Sequence, residues 1–263
     1  MIKKFFVTLI ASSAFLVSCN NDDDNGVDKE TKIPVEERKA LDDKAINEIL
    51  EDYYFSPKNG KLTKFDTIKG NEDDAYPALK KLAKQDPSGY WYAENPNHIG
   101  KGSTVVSNDK TKIHLNYVST TFRGTNDMDK TNNPLQKHYG ALSLGNNGST
   151  IDAGDGSAGT DPSFYYFTPT EIEAKNGVKR EHVELKNFVE GLKHFKSTDR
   201  STQDGYNFQG VIILPSQLAY GRNKVYAAGL GISDHFNQFS DVSYIFNIEL
   251  VKTCGACPEQ YDA

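Results

Sequence analysis

The feature that most constrains this sequence is the recurrence of β-type apolar segments between Lys112 and Lys252. One stretch differs, because between Glu184 and Phe195 the apolar residues recur every three or four positions, as in an amphipathic helix. A sheet that packs on one short helix predicts an α+β fold. The apolar strand residues are Ile113, Leu115 and Tyr117, then Val211, Ile212, Ile213 and Leu214, then Tyr244, Phe246, Ile248 and Leu250; those of the helix are Leu185, Phe188, Val189, Leu192 and Phe195.

The N-terminus predicts an export signal. Two lysines precede an apolar run over residues 5–17, which is too short for an ordinary transmembrane helix. Residues 16–19 (LVSC) look like a bacterial lipobox, in which small residues admit the signal peptidase and the cysteine thiol is then acylated. A chance cysteine in an ordinary signal peptide is the alternative, but no A-x-A cleavage site competes. We expect residues 1–18 to be a lipoprotein signal peptide and Cys19 to carry the lipid anchor that binds the membrane.

The residues after Cys19 bear on location. Asn20 stands where an Asp would signal retention in the inner membrane. The run at residues 20–24 (NNDDD) resembles the acidic run that sends some lipoproteins of Gram-negative bacteria to the cell surface, and it equally fits a solvated linker. We expect an outer-membrane lipoprotein of the cell envelope, on the periplasmic side or at the surface, with residues 19–33 as a disordered tether.

The rest of the chain divides into three parts. Residues 34–100 begin with apolar residues at helical spacing and are expected to form an N-terminal helical extension. Residues 101–253 form the main domain, in which residues 132–163, rich in Gly, Asn, Ser and Asp, predict a long insertion. Residues 254–263 form a C-terminal tail.

The net charge and the lack of metal-binding motifs exclude some classes of function. With 30 basic and 36 acidic residues the formal charge is −6, so the basic excess that drives nucleic-acid binding is missing, and we expect no nucleic-acid partner. The six histidines show no paired metal spacing, and residues 152–156 (DAGDG) fail the spacing of an EF-hand loop. We expect neither a metal nor a cofactor.

Four blocks of sequence, in order, resemble the FKBP-type peptidyl-prolyl isomerases. Residues 214–221 (LPSQLAYG) resemble the family segment I-P-x-x-L-A-Y-G, and residues 245–251 (IFNIELV) resemble its closing strand F-D-V-E-L. Residues 113–117 (IHLNY) are similar to the strand V-x-V-H-Y, with Gly124 at the turn that follows, and residues 188–192 (FVEGL) are similar to the helix start G-W-x-x-G-L. Together with the lipobox, these blocks make the chain resemble FKBP-like lipoproteins, some of which are associated with gliding motility.

The resemblance implies an antiparallel sheet wrapped around one short helix, and cis–trans isomerisation of prolyl bonds without a cofactor. The barrier to rotation about an Xaa-Pro bond is about 18–20 kcal/mol, because amide resonance must be lost. An apolar cavity that takes up the proline ring and removes water from the imide binds the twisted bond best. The implied site residues are Phe188 as the floor, Tyr117 and Phe246 as walls, Tyr220 as hydroxyl donor to a substrate carbonyl, Leu185 through its backbone N–H, and Asp129 as the acid.

The sequence also departs from the family pattern. The family's Phe-Asp pair corresponds to Met128-Asp129 with one residue inserted, and Asp127 is the alternative acid. The proline-containing flap is replaced by residues 231–239 (GISDHFNQF), and Phe188 stands in the place of Trp. Since pocket shape carries this catalysis, each of these changes can weaken turnover without loss of the fold.

The main hypothesis is therefore a lipid-anchored peptidyl-prolyl isomerase for proline-containing exported client proteins. One alternative is a binding or chaperone lipoprotein that keeps the pocket for proline-containing segments but has little turnover. Another is a structural surface lipoprotein with a closed core.

Cys254 and Cys257 have the C-x-x-C spacing of redox and zinc sites. They lie outside any predicted βαβ unit, and no second pair completes four ligands. In an exported chain a local disulfide is the first hypothesis, with a free or partner-exchanging pair and a metal site as alternatives.

Overall fold

The computed structural model describes residues 33–106, 111–126, 137–140, 142–144, 164–165, 170–179, 182, 185–200, 207–223, 225–227, 231–233 and 239–255. In chain order its elements are α1 (Val35–Asp52), β1 (Tyr53–Phe55), β2 (Leu62–Lys64), β3 (Lys84–Gln85), β4 (Trp91–Glu94), β5 (Lys112–Phe122), β6 (Ser143–Leu144), β7 (Phe164–Tyr165), α2 (Glu171–Lys175), α3 (Lys186–Leu192), β8 (Gly210–Leu214), β9 (Val225–Ala227), β10 (Gly231–Ser233) and β11 (Ser243–Cys254). Single 3-10 turns lie at Asp73–Ala75, Leu79–Lys81 and Ser216–Leu218. None of the helices in these ranges has the length and apolar character needed to cross a membrane.

Seven of the described strands form one antiparallel sheet in the order β3–β4–β8–β11–β5–β6, and β7 also pairs with β5. The centre is β11, which pairs with β8 on one side and β5 on the other. Its register places Phe246 opposite Ile212 of β8 and Ser119 of β5. The strands predicted from sequence are confirmed in β5, β8 and β11, and the combination of helices with an antiparallel sheet confirms the α+β class. The wrapping of the sheet around one helix stays a prediction.

Helix α3 packs on one face of the sheet, where its Phe188 and Leu192 and the following Phe195 are buried. The helix lies so close to the sheet that a Cβ atom at Gly191 would be 2.9 Å from Cδ1 of Ile212. The single helix predicted within residues 184–195 is therefore confirmed as α3. The strand residues on this face are Ile113, Leu115, Ile212, Leu214, Tyr244, Phe246, Ile248 and Leu250.

Helix α1 packs on the opposite face, against the alternate strand positions. Its buried apolar residues recur every three or four positions, so they form one stripe along the helix. The two acidic residues of its first turn, Glu36 and Glu37, suit the positive end of the helix dipole. The contacting residues are Ala45, Ile46, Ile49 and Leu50 of α1, with Phe122, Val211, Ile213 and Ile245 of the sheet.

Residues 34–100 contain more than the predicted helical extension. Strands β1 and β2 form a hairpin, and β3 and β4 join the main sheet, where Tyr92 lies opposite Ile212 of β8. The two added strands have two and four residues, which is too short for an alternating pattern to be recognised in the sequence. The domain boundary at residue 100 stays a prediction, but residues on both sides of it belong to the same sheet.

Several sequence predictions fall on parts of the chain outside the described residues. They include the signal peptide, Cys19 and almost all of the tether. Of the predicted insertion at residues 132–163, the structure describes residues 137–140 and 142–144, in which β6 pairs with β5.

Candidate functional site

Three of the predicted pocket residues lie together on the α3 face of the sheet. Tyr117 is on β5, Phe188 is in the first turn of α3 and Phe246 is on β11. The ring centroids of Phe188 and Phe246 are 4.1 Å apart, and that of Tyr117 is 6.2 Å from each of them. The two longer distances lie within the usual range for paired aromatic rings, and the shortest is just below it. Residues from distant parts of the chain thus meet at one place.

Tyr220 is connected to these three rings by Tyr244, which contacts both Tyr220 and Phe246. The ring of Tyr244 lies parallel to that of Phe246, at 5.8 Å and 8°. Tyr220 meets Tyr244 edge-on at 6.0 Å and meets Phe239 at 5.9 Å. Sequence analysis missed Tyr244 as a site residue, although side chains two positions apart on a strand share a face, so its spacing from Phe246 could have identified it. We use the name aromatic cluster for Tyr117, Phe188, Tyr220, Tyr244 and Phe246.

A tight turn after β8 positions Tyr220. The carbonyl of Ser216 accepts a hydrogen bond of 2.9 Å from the N–H of Gly221. Gly221 has φ +58°, a left-handed conformation that glycine adopts without the steric penalty of a side chain. Asn187 of α3 donates from Nδ2 to the carbonyl of Leu218 at 2.7 Å. The turn that carries Tyr220 is therefore bound to the helix that carries Phe188.

Leu185 is the N-cap of α3, and its carbonyl accepts a hydrogen bond of 2.9 Å from the N–H of Phe188. Its side chain is half-buried against the same apolar core. Within the part of the chain that the structure describes, the Leu185 N–H donates no hydrogen bond. Its position one turn before Phe188 agrees with the resemblance, and its role toward a ligand stays a prediction.

Most of the remaining predicted site residues lie outside the part of the chain that the structure describes. Asp129 and its alternative Asp127 lie outside the described residues, as does Cys257. Cys254, at the end of β11, is disulfide-bonded. Its pairing with Cys257 stays a prediction. Of the rebuilt flap, residues 231–233 form β10, which pairs with β9 in a hairpin.

The aromatic cluster carries no formal charge, and its members are almost closed to solvent except Tyr117, which is half-buried. Phe188 is 4% exposed, and Tyr220 and Phe246 are each 5% exposed. Burial raises the pKa of Tyr244, so its hydroxyl stays protonated at neutral pH. Among the described residues, His, Cys, Asp and Glu side chains do not gather in threes that could hold a metal ion. The cluster offers apolar ring surface and tyrosine hydroxyls.

A cavity of about 90 Å³ lies elsewhere, on the face of the sheet that α1 covers. It is formed between the β1–β2 hairpin and strands β5 and β11, so it is separate from the aromatic cluster. Its lining residues are Tyr53, Lys61, Leu62, Val118, Thr120, Leu142, Ile245 and Asn247.

The chain shows distant similarity to known structures. No family model and no curated protein matches the chain. Among solved structures it is similar to FkpA from Escherichia coli, with a TM-score of 0.30 and 18% identity over 66% of this chain and 52% of that one. It is also similar to a peptidyl-prolyl cis-trans isomerase from Pseudomonas syringae pv. tomato, with a TM-score of 0.36 and 14% identity over 85% of this chain and 98% of that one. The chain spans about half the length of FkpA. TM-scores this low do not establish a common fold.

Proposed function

We propose that this chain is an FKBP-like peptidyl-prolyl cis–trans isomerase for proline-containing segments of exported proteins. The observation that carries the proposal is the meeting of Tyr117, Phe188 and Phe246, with ring centroids 4.1 to 6.2 Å apart. The three residues belong to three different blocks of the sequence, and each block was identified independently of the other two. Convergence of these three rings is what a common proline-binding pocket requires.

The proposed chemistry is stabilisation of a twisted amide. Planar Xaa-Pro amides are charge-separated, and the twisted bond is less so, which means that an apolar surface without water favours the twisted state. In this proposal the rings of Phe188 and Phe246 contact the proline ring. The Tyr220 hydroxyl donates a hydrogen bond to a substrate carbonyl, and the Leu185 N–H donates one to the adjoining backbone. Asp129, five residues after Gly124 in the sequence, is the proposed acid of the site.

The proposed place of action is the cell envelope. The signal-like residues 1–18 and the lipobox at Cys19 support export and attachment to the outer membrane by acyl chains. The clients are then proteins that fold after export, where prolyl isomerisation is slow enough to limit the rate of folding.

A second candidate function is binding of proline-containing segments without turnover. The observation in its favour is the loss of the family's flap prolines from residues 231–239. The predicted floor and wall, Phe188 and Phe246, are 4% and 5% exposed. Such burial agrees with the closed core of the structural-lipoprotein alternative, and it means that a substrate must displace the groups that cover these two rings.

Isomerisation of an Xaa-Pro peptide by the purified chain, followed by NMR exchange spectroscopy, tests the proposal. We expect a rate above that of the peptide alone, and a lower rate for both Tyr220→Phe and Phe188→Leu. The matched control is Phe122→Leu, because Phe122 is equally buried but packs on the α1 face. It is expected to lower stability and leave the rate per folded molecule unchanged.

The outcomes separate the candidates. Peptide binding without turnover favours the binding module over the enzyme. If the folded chain neither binds the peptide nor isomerises it, both candidate functions are contradicted. A loss of rate in Phe122→Leu equal to that in Phe188→Leu would mean that stability, and not the aromatic cluster, sets the rate.

A further inference from the structure

Asp42 connects helix α1 to the turn that carries Tyr220. Asp42 and Ser216 are both fully buried, at 0% exposure. Oδ2 of Asp42 accepts a hydrogen bond of 3.0 Å from the Ser216 N–H and another of 2.5 Å from the Ser216 hydroxyl. The two residues are 174 positions apart in the sequence, so the contact depends on α1 packing against the sheet.

Ser216 also shapes the turn itself. Its carbonyl accepts hydrogen bonds from the N–H groups of Ala219 and Gly221, at 3.1 and 2.9 Å, which are the residues on either side of Tyr220. One residue therefore has its N–H and hydroxyl bound to α1 and its carbonyl bound to the turn. A displacement of Ser216 moves Tyr220 relative to Tyr244.

The burial of a carboxyl group at position 42 has a cost in hydration. Burial removes its hydration, and replacement of buried ionic groups by apolar residues is often neutral or stabilising. Oδ1 of Asp42 accepts no hydrogen bond from the described residues, and Nη1 of Arg38 lies 3.9 Å away from it. An apolar side chain at position 42 would remove the buried carboxyl group, but it would leave the Ser216 N–H and hydroxyl without their acceptor.

The same helix contacts one described residue before position 129 and one after it. Nη1 of Arg38 donates a hydrogen bond of 2.6 Å to the carbonyl of Gly124, and the carboxylate of Glu48 accepts one of 2.6 Å from the N–H of His138. Gly124 and His138 stand before and after Asp129 in the sequence. Helix α1 thus holds a residue on each side of that position in the sequence as well as the Tyr220 turn.

We propose that Asp42 is a positioning residue, which sets the place of the Tyr220 hydroxyl by holding Ser216. The inference rests on the proposed function, in which that hydroxyl donates to a substrate carbonyl. It extends the site beyond the four blocks of the family resemblance, because α1 precedes all of them. The N-terminal helix then contributes to the reaction and not only to the core.

The test compares Asp42→Ala, Asp42→Asn and Ser216→Ala in the full chain. Asp42→Asn keeps one acceptor oxygen for Ser216, and Ser216→Ala keeps the backbone N–H bond to Asp42. The matched control is Glu249→Gln, because Glu249 is a carboxyl group with 1% exposure whose hydrogen-bond partners, Arg200 among them, do not belong to residues 216–221. Two readouts are needed, namely kcat and KM with an Xaa-Pro peptide, and hydrogen exchange of the amides of residues 216–221.

We expect Asp42→Ala to lower kcat about tenfold or more with a smaller change in KM, since small misplacements of a site group cost large factors in rate. Asp42→Asn should recover most of the rate, and Ser216→Ala should fall between the two. Exchange at residues 216–221 should rise in Asp42→Ala and not in Glu249→Gln. An Asp42→Ala chain that is less stable but keeps its kcat, or a Glu249→Gln chain that loses as much, would overturn the inference.

Failure of the proposed function has a different signature. A wild-type chain without turnover contradicts the proposed isomerase function. In that case the hydrogen-exchange data by themselves test the inference about Asp42. Unchanged exchange at residues 216–221 in Asp42→Ala overturns it, whatever the wild-type activity.

Discussion

The ring of Phe188 in α3 lies 4.1 Å from the ring of Phe246 in β11, with their planes inclined by 32°. This pair joins the helix to the central strand of the sheet. Because β11 pairs on both of its edges, Phe246 stands on the part of the sheet that is least free to move. Any pocket in this region therefore has a rigid floor, and its adaptability must come from the surrounding loops.

Phe188→Ala should destabilise the fold strongly. The side chain is 4% exposed and lies between Phe246 and Tyr117, so its removal leaves a cavity in the core. We expect the free energy of unfolding to fall by about 3–5 kcal/mol, as measured by urea denaturation. The control is Ile68→Ala, because Ile68 is 66% exposed and should change stability by no more than about 0.5 kcal/mol. A loss as small in Phe188→Ala would mean that the rings are not tightly packed.

Gly124→Ala should disrupt the contact between the turn after β5 and helix α1. A Cβ atom at Gly124 would lie 2.5 Å from the carbonyl carbon of Leu41 and 2.6 Å from its oxygen, and backbone atoms cannot move aside as a side chain does. We expect a loss of about 3 kcal/mol or more. Gly70→Ala is the comparison, because the added carbon meets nothing within 4 Å and only the φ of +84° opposes it, at about 1–2 kcal/mol. Equal losses would show that the close approach to α1 is unimportant.

Stability should depend on pH through two buried carboxyl groups. Burial raises the pKa of Asp42 and the pKa of Glu249. In the unfolded chain the pKa values of these carboxyl groups are about 4. As the pH rises, the unfolded chain therefore loses these two protons before the folded chain does. The free energy of unfolding falls over this range, until the carboxyl groups of the folded chain ionise as well.

The measurement is urea denaturation from acid to neutral pH. A chain with both Asp42→Asn and Glu249→Gln should show a smaller fall in stability over this window, since its amides do not titrate. A larger fall in the double variant would mean that the nearby Arg38 and Arg200 outweigh burial and lower these two pKa values.

Cys19→Ser should abolish membrane attachment if the lipobox works as proposed. Only a thiol accepts the lipid in this processing, so the variant should carry no labelled fatty acid and should move from the membrane to the soluble fraction of cells. Cys254→Ser is the matched control, because that cysteine is disulfide-bonded at the end of β11. Membrane attachment that persists in Cys19→Ser would contradict the lipid anchor.

The central part of the fold could be predicted because its signals are local. The alternation around Phe246 and Tyr117 and the helical spacing around Phe188 each lie within a dozen residues. Strands such as Lys84–Gln85 give no such signal, because two residues cannot show a period. Their place is decided by the edge of β4 with which they pair.

The candidate site divides in the same way. The aromatic residues were identifiable because each belongs to a short block, and the structure brings four of them into one cluster. The link between Asp42 and Ser216 has no local signal, since neither residue differs from an ordinary surface polar residue until the chain folds. Only packing of α1 on the sheet reveals that the two are buried against each other.

The central position of β11 has a consequence for the order of folding. Strands β8 and β5 are neighbours of β11 and not of each other, so the sheet stays in two halves until residues 243–254 insert between them. Contacts between residues this far apart in sequence form slowly, because a long loop must close first. A growing chain that has not reached Ser243 therefore presents two unpaired strand edges, which makes this intermediate prone to association with other chains.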